Sequence, residues 1–151
     1  MFIKEVDLFL GIPSHMIDEI AALATEEVFA AGSILFQSGE SADSLFILEE
    51  GRVEITIGEE GHTCFPLDRS GDMFGWSALV EPNQYTGSAR CVRESKVIRI
   101  DGNRLMRIFE KHPTEGLRVM MRLAGVIASR LVKSYQEILT SRKETEVPSY
   151  G

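Results

Sequence analysis

The period of the apolar positions changes twice along the chain. Up to residue 24 the spacing is helical: Val6, Leu8, Phe9 and Leu10 cluster, Gly11 and Pro13 interrupt, and Met16, Ile17, Ile20, Leu23 and Ala24 resume. Proline fits a first helical turn and serine can cap one, so Pro13-Ser14 predicts the start of a second helix. From Glu26 to Ile100 the apolar runs become short and β-rich. They are Val28-Phe29, Ile34 to Phe36, Leu45 to Leu48, Val53 to Ile57, Cys64 to Leu67 and Val97 to Ile100. Gly32, Gly39, Gly51, Gly58, Gly61 and Gly71 stand between them, and strands at this spacing predict an all-β sandwich or roll. Residues 52–57 alternate cleanly, which predicts one wet face, and residues 58–61 read as a hairpin tip.

Helical spacing returns after Ile100. Asp101 is placed to cap a helix over residues 102–111, with Leu105, Met106, Ile108 and Phe109 facing inward. Pro113 interrupts, and a long helix is expected over residues 114–139. On it Leu117, Met120, Ala124, Ile127, Leu131 and Ile138 fall close to a 3-4 seam, with Ser134 as a polar break. Met121, Ala128, Val132, Tyr135 and Leu139 form a second stripe. One stripe can pack on the β-body and leave the other for a partner helix; alternatively both belong to the molecule's own core. The expected contact set for a second copy or a partner protein is Met120, Ala124, Ile127, Leu131 and Ile138. Residues 1–140 make one domain, and residues 141–151 read as a polar, loose tail.

Composition narrows the function classes. The 151 residues are 44% hydrophobic and 26% charged, ordinary for a soluble globular domain. No apolar run approaches the length of a membrane span and no basic leader opens the chain, so a cytoplasmic protein is expected. Cys64 and Cys91 then read as free thiols. The net charge of −7 argues against nucleic-acid binding and makes capture of an anion depend on local donors. His62 and Cys64, two apart on one strand face, could begin a haem or metal site. The other histidines, His15 and His112, lie in the helical flanks without a metal-binding spacing, so a histidine beside a buried thiol is the favoured reading. No metal or cofactor is expected. No serine nucleophile elbow, HExxH or grouped histidine–carboxylate set is present, so no enzyme is expected either.

The remaining signal is residues 71–89: a Gly-Asp turn, Phe74-Gly75, one helical turn's worth of residues, Pro82-Asn83, then Gly87-Ser88-Ala89. A glycine before a short helical turn lets backbone N–H groups approach an anion. Residues 39–51, with Gly39, Glu40, Ala42, Leu45, Leu48 and Gly51, together with Phe74-Gly75, Ala78-Leu79 and Ser88-Ala89, resemble the two signatures of the cyclic-nucleotide-binding domain. This is the effector domain of catabolite-activator and FNR-type regulators and of cyclic-nucleotide-regulated kinases and channels. The resemblance runs from about Val6 to Leu139. It implies a mainly β fold with flanking helices, a double-stranded β-helix or jelly-roll-like β-roll, with N-terminal helices and a long C-terminal helix. It also implies a phosphate-binding cassette made of Phe74, Gly75, Trp76, Ser77, Ala78, Leu79, Tyr85, Thr86, Gly87, Ser88 and Ala89.

Two positions depart from the family pattern. Trp76 stands where the family has a glutamate that accepts from the ribose hydroxyl, and Gly87 stands where it has the arginine that pairs with the cyclic phosphate. Indole offers one N–H and no acceptor, and glycine offers no cation. Losing such a buried pair costs about 2–5 kcal/mol. A longer-loop register would put Arg90 in the arginine's place, at the expense of both small residues after it. With the arginine gone, a phosphate would rest on the amides around Gly75 to Ala78 and on the Ser88 hydroxyl. Trp76, Tyr85, Thr86 and Ser88 would instead suit a neutral or weakly anionic ligand.

DNA-binding relatives carry a helix-turn-helix after the long helix. Here only a polar tail follows it, so a stand-alone effector module without a DNA-binding domain is expected. Three readings stay open: a regulatory module for a non-standard ligand, signalling as a homodimer or on a partner protein; a true cyclic AMP or cyclic GMP binder; and a constitutive interaction domain with a dead pocket.

Overall fold

The computed structural model describes residues 3–57 and 63–150, with side chains described as far as Thr140. Eight strands form two antiparallel four-stranded sheets. The first has the order β1-β8-β3-β6, from Ala24–Phe29 (β1), Ser95–Asp101 (β8), Ser44–Glu50 (β3) and Met73–Phe74 (β6). The second has the order β2-β7-β4-β5, from Ile34–Phe36 (β2), Ser88–Cys91 (β7), Val53–Ile57 (β4) and Thr63–Leu67 (β5). Helix α1 (Ser14–Leu23) precedes the strands; α2 (Gly102–Lys111) and α3 (Pro113–Tyr150) follow them. This is the expected jelly-roll-like fold with a long C-terminal helix.

Strand β3 shows why one run of four apolar residues sits at the centre. Side chains alternate across a strand, so Leu45 and Ile47 point to the helices and Phe46 and Leu48 point between the sheets. All four are at most 1% exposed. A strand buried on both faces has no polar position to spare, which makes its sequence continuous rather than alternating. β8 divides likewise, with Ile98 and Ile100 under the helices and Val97 between the sheets. The helix-side core takes Met16, Ile17 and Ile20 from α1, Leu105 and Phe109 from α2, and Val119 and Leu123 from α3. The Asp101 carboxylate caps α2, accepting from the Arg104 N–H at 2.8 Å, as its position in the sequence suggests.

Several expectations are corrected. Ahead of α1 the described residues form two 3-10 turns, Ile3–Glu5 and Asp7–Phe9, and Ala24 opens β1 rather than closing a helix. Pro13 takes the cap position of α1, and no side chain caps it. Strands β6 and β7 flank the turn of residues 75–87 and are not among the apolar runs expected as strands. Helix α3 runs on through Tyr150, past the end expected near Leu139. Its buried positions are Gly116, Val119 and Leu123, which belong to neither stripe. Met120 and Ile127, assigned to a partner, turn inward and pack half-buried on the core. Residues from both stripes share the outward face: Leu117, Met121, Ala124, Ala128, Leu131, Tyr135 and Ile138 are all exposed. The hairpin tip expected at residues 58–61 lies outside the described residues.

Helix α3 is held to the body at its sides as well as by its core face. Arg122 Nη1 donates to the carbonyl oxygens of Leu8 (3.2 Å) and Leu10, fastening the N-terminal turns to it. At the α2–α3 junction, Glu19 of α1 pairs with Lys111 and meets His112 Nε2 at 2.9 Å. No helix among the described residues is long and apolar enough to cross a membrane.

Candidate functional site

The stretch from Met73 to Cys91 leaves the first sheet at β6 and enters the second at β7. Between them Gly75 sits at φ +76°, a left-handed conformation, and starts a 3-10 turn over Trp76–Ala78. A Cβ at residue 75 would lie 3.0 Å from the Phe46 ring and 3.1 Å from the Ser44 carbonyl oxygen, so glycine is required both for conformation and for room. The turn uses its own amides: Ala78 N–H donates to Gly75 O and Leu79 N–H to Trp76 O. Asn83, at φ +61°, donates from Nδ2 to the carbonyls of Ser77 (3.0 Å) and Ala78 (3.3 Å) and closes the loop.

This loop, the second sheet and α3 enclose a cavity of about 250 Å³. Its walls are aromatic and aliphatic: Phe36, Ile55, Ile57, Phe65, Phe74, Trp76 and Tyr85 from the β-body, Ile127 and Leu131 from α3. Gly75, Ser77, Thr86, Gly87, Arg130 and Ser134 complete the lining. Ile57 is 40% exposed because the apolar face of β4 borders this cavity instead of being fully covered.

Arg130 is the charged group in that lining. Its Nη2 donates to the Met73 carbonyl oxygen at 2.6 Å, and the guanidinium carbon stands 4.8 Å from the Trp76 ring centroid. A cation stacked on a partly desolvated indole contributes about 0.5–2 kcal/mol. Burial pushes the guanidinium below its ordinary value, and the negative charge of Asp72 opposes that shift. Helix α3 therefore delivers a cation to a cassette that lacks one of its own. The sequence reading missed Arg130 because it lies more than forty residues from the cassette and is one of many charges on a helix.

The expected cassette residues divide into two groups. Phe74, Gly75, Trp76, Ser77, Tyr85, Thr86 and Gly87 border the cavity, whereas Ala78, Leu79, Ser88 and Ala89 are outside its lining. Ala78, Leu79 and Ala89 are core residues. The hydroxyls expected to meet a ligand are largely spent within the protein. Tyr85 donates to Ser44 O at 2.8 Å and accepts from Ser44 N–H at 3.3 Å, while its ring stacks on Phe36 with centroids 3.8 Å apart. Ser88 Oγ accepts from the Ser38 N–H at 3.0 Å, and Ser134 Oγ donates to the Arg130 carbonyl.

Gly87 is more than a missing side chain. A Cβ there would lie 3.0 Å from the Thr56 carbonyl oxygen and 3.3 Å from the side chains of both Ile55 and Ile57. Any side chain at 87 would require these β4 neighbours to give by a few tenths of an ångström. Arg90 does not replace it: on β7 it is exposed between buried Ala89 and Cys91 and is outside the cavity lining. Cys64 is exposed, which corrects the reading of it as a buried thiol, and His62 lies outside the described residues. Cys64 and Cys91 are free thiols, both shifted upward by desolvation.

Residues 26–112 match a family model described as "Cyclic nucleotide-binding domain". The chain is similar to a putative cyclic nucleotide-binding protein from Geobacter metallireducens GS-15, at 31% identity and a TM-score of 0.75, covering 83% of this chain and 92% of that one. It is also similar in fold to the Thermus thermophilus catabolite activator protein, at 20% identity and a TM-score of 0.68, over 87% of this chain and 61% of that one. Among curated proteins, Glutaminase 1 of Bradyrhizobium diazoefficiens is 29% identical over 143 residues, which is 92% of this chain and 22% of that protein. The chain spans about a fifth of the length of the curated relatives it matches.

Proposed function

The chain belongs to the cyclic nucleotide-binding domain family and is a regulatory module of that family; from this premise we propose that its pocket senses a ligand other than a conventional cyclic mononucleotide and reports it through α3. The observation that carries the proposal is Gly87, which offers no cation and where even a Cβ would press on Thr56, Ile55 and Ile57. Trp76 adds to it: the indole has no acceptor for a ribose hydroxyl and is already engaged with Arg130. Because Arg130 ties α3 to the Met73 carbonyl at the cassette's edge, a ligand that alters this contact biases the helix between two packings.

The named relatives support a module rather than a whole activity. Glutaminase 1 and cyclic nucleotide-gated channel beta-3 have different functions, and the chain matches about a fifth of each. The polar groups of the cavity, Ser77, Thr86, Arg130 and Ser134, include no acid–base pair or activated nucleophile, in keeping with a non-catalytic role.

The output we propose is self-association through α3. The outward seam 117-121-124-128-131-135-138 alternates steps of four and three, the spacing that keeps an apolar stripe facing a second helix in a coiled coil.

Titration calorimetry with cyclic AMP, cyclic GMP and cyclic dinucleotides tests the ligand reading. No micromolar binding of either mononucleotide is expected, and such binding would overturn it. Arg130 is the observation favouring the second reading, a true cyclic-nucleotide binder with its cation supplied by α3. In that case Arg130→Met would remove the binding.

A further inference from the structure

Resting on the reading of the pocket as a sensor, the cavity's size and charge narrow the ligand class. Drug-sized ligands occupy pockets of roughly 300–1,000 Å³, and a cavity of about 150 Å³ accepts benzene. At about 250 Å³ this cavity suits one ring with a short substituent. Its walls are largely apolar, and Phe36, Ile55, Ile57 and Phe65 share the lining with Arg130. That guanidinium has five N–H donors in a planar fork, and its hydrogen bond to Met73 uses one of them. Asp72 acts on it through charge without an ion-pair contact among the described residues. Among the described residues of the lining Arg130 is the single cation, and it balances a monoanion. A phosphate dianion would leave a charge uncompensated against apolar walls in a chain of net charge −7. Carboxylate is a planar monoanion that a guanidinium fork can hold bidentately.

We propose that the cavity binds a small aromatic monocarboxylate, its ring among Phe36, Ile55, Ile57 and Phe65 and its carboxylate on Arg130. Binding then acts on α3 directly, because the carboxylate loads the same guanidinium that donates to the Met73 carbonyl and stacks on Trp76.

Trp76 is the chain's single tryptophan, so intrinsic fluorescence reports from the cavity wall itself. Benzoate, its neutral counterpart benzyl alcohol, and cyclic AMP are titrated against the full chain, following Trp76 emission and heat. Benzoate is expected to shift the emission and to bind more tightly than benzyl alcohol. Arg130→Met, which keeps the stem and removes the charge, should weaken benzoate by roughly 10- to 100-fold and leave benzyl alcohol unchanged. Arg130→Lys keeps the charge without the fork and should recover part of the loss; it also stands in if the methionine variant unfolds. Equal affinity for benzoate and benzyl alcohol, or a loss of both together in the folded variants, would overturn the inference while leaving a ligand-sensing pocket. Tight binding of cyclic AMP with neither ring compound bound would overturn both. Silence from all three probes would overturn the monocarboxylate assignment and point to the constitutive interaction domain.

Discussion

At the scale of single residues, the proposed ligand reading turns on Trp76, Gly87 and Arg130. Trp76 and Gly87 are both visible in the sequence as departures from the family pattern. Their consequences are not. An intuitive repair, Gly87→Arg, would place a Cβ 3.0 Å from a backbone carbonyl and against two isoleucines. Overpacking of that kind typically costs about 1–3 kcal/mol. Gly87→Arg is therefore expected to lower the urea midpoint without conferring cyclic AMP binding. A stable variant that binds the nucleotide would show that β4 can retreat and that Trp76 does not block the site. Arg130 illustrates the opposite limit: its identity was in plain view, but only the docking of α3 puts it over Trp76.

At the scale of elements, α3 shows how periodicity finds a helix and still misplaces its faces. Two overlapping apolar stripes were legible, and both contain residues of the true outward seam. The division between them depends on where the helix rests, which is set by Val119 and Leu123 entering the core and by Arg122 and Arg130 reaching the body. Met121, 67% exposed and outside the cavity, isolates the seam from the pocket. Met121→Asp should convert a dimer to monomer in sedimentation while leaving the Trp76 emission of the body unchanged. A monomeric wild type would remove the self-association proposal. Ile127→Asp is a poorer probe, because Ile127 is packed on the core and borders the cavity. The strands divide in the same manner. Long runs such as Leu45 to Leu48 were plain, whereas β6 has only two residues and carries no period of its own.

At the scale of the whole molecule, a polar cluster joins the first helix to the last two. Glu19 is held below its ordinary value of 4.5 chiefly by the Lys111 hydrogen bond and then by that to His112. A depressed carboxyl contributes stability that is present above 4.5 and lost as the pH falls through its folded value. Denaturant unfolding should accordingly show a midpoint that declines on acidification below 4.5, and Glu19→Gln should flatten that decline. An unchanged acid limb in the variant would assign acid sensitivity to other groups.

The sequence by itself determined the class of the fold, because a period near two between helical flanks, punctuated by turn glycines, leaves few ways to bury the apolar faces. It also sets the residue types at positions 76 and 87, an indole and a bare backbone, on which the proposed ligand reading turns. The tertiary structure alone decided what surrounds them. The approach of β4 to Gly87, the backbone hydrogen bonds of the Tyr85 and Ser88 hydroxyls, and the arrival of Arg130 from α3 all join residues distant in sequence. Such contacts depend on how packed elements share space, and no local pattern along the chain records them.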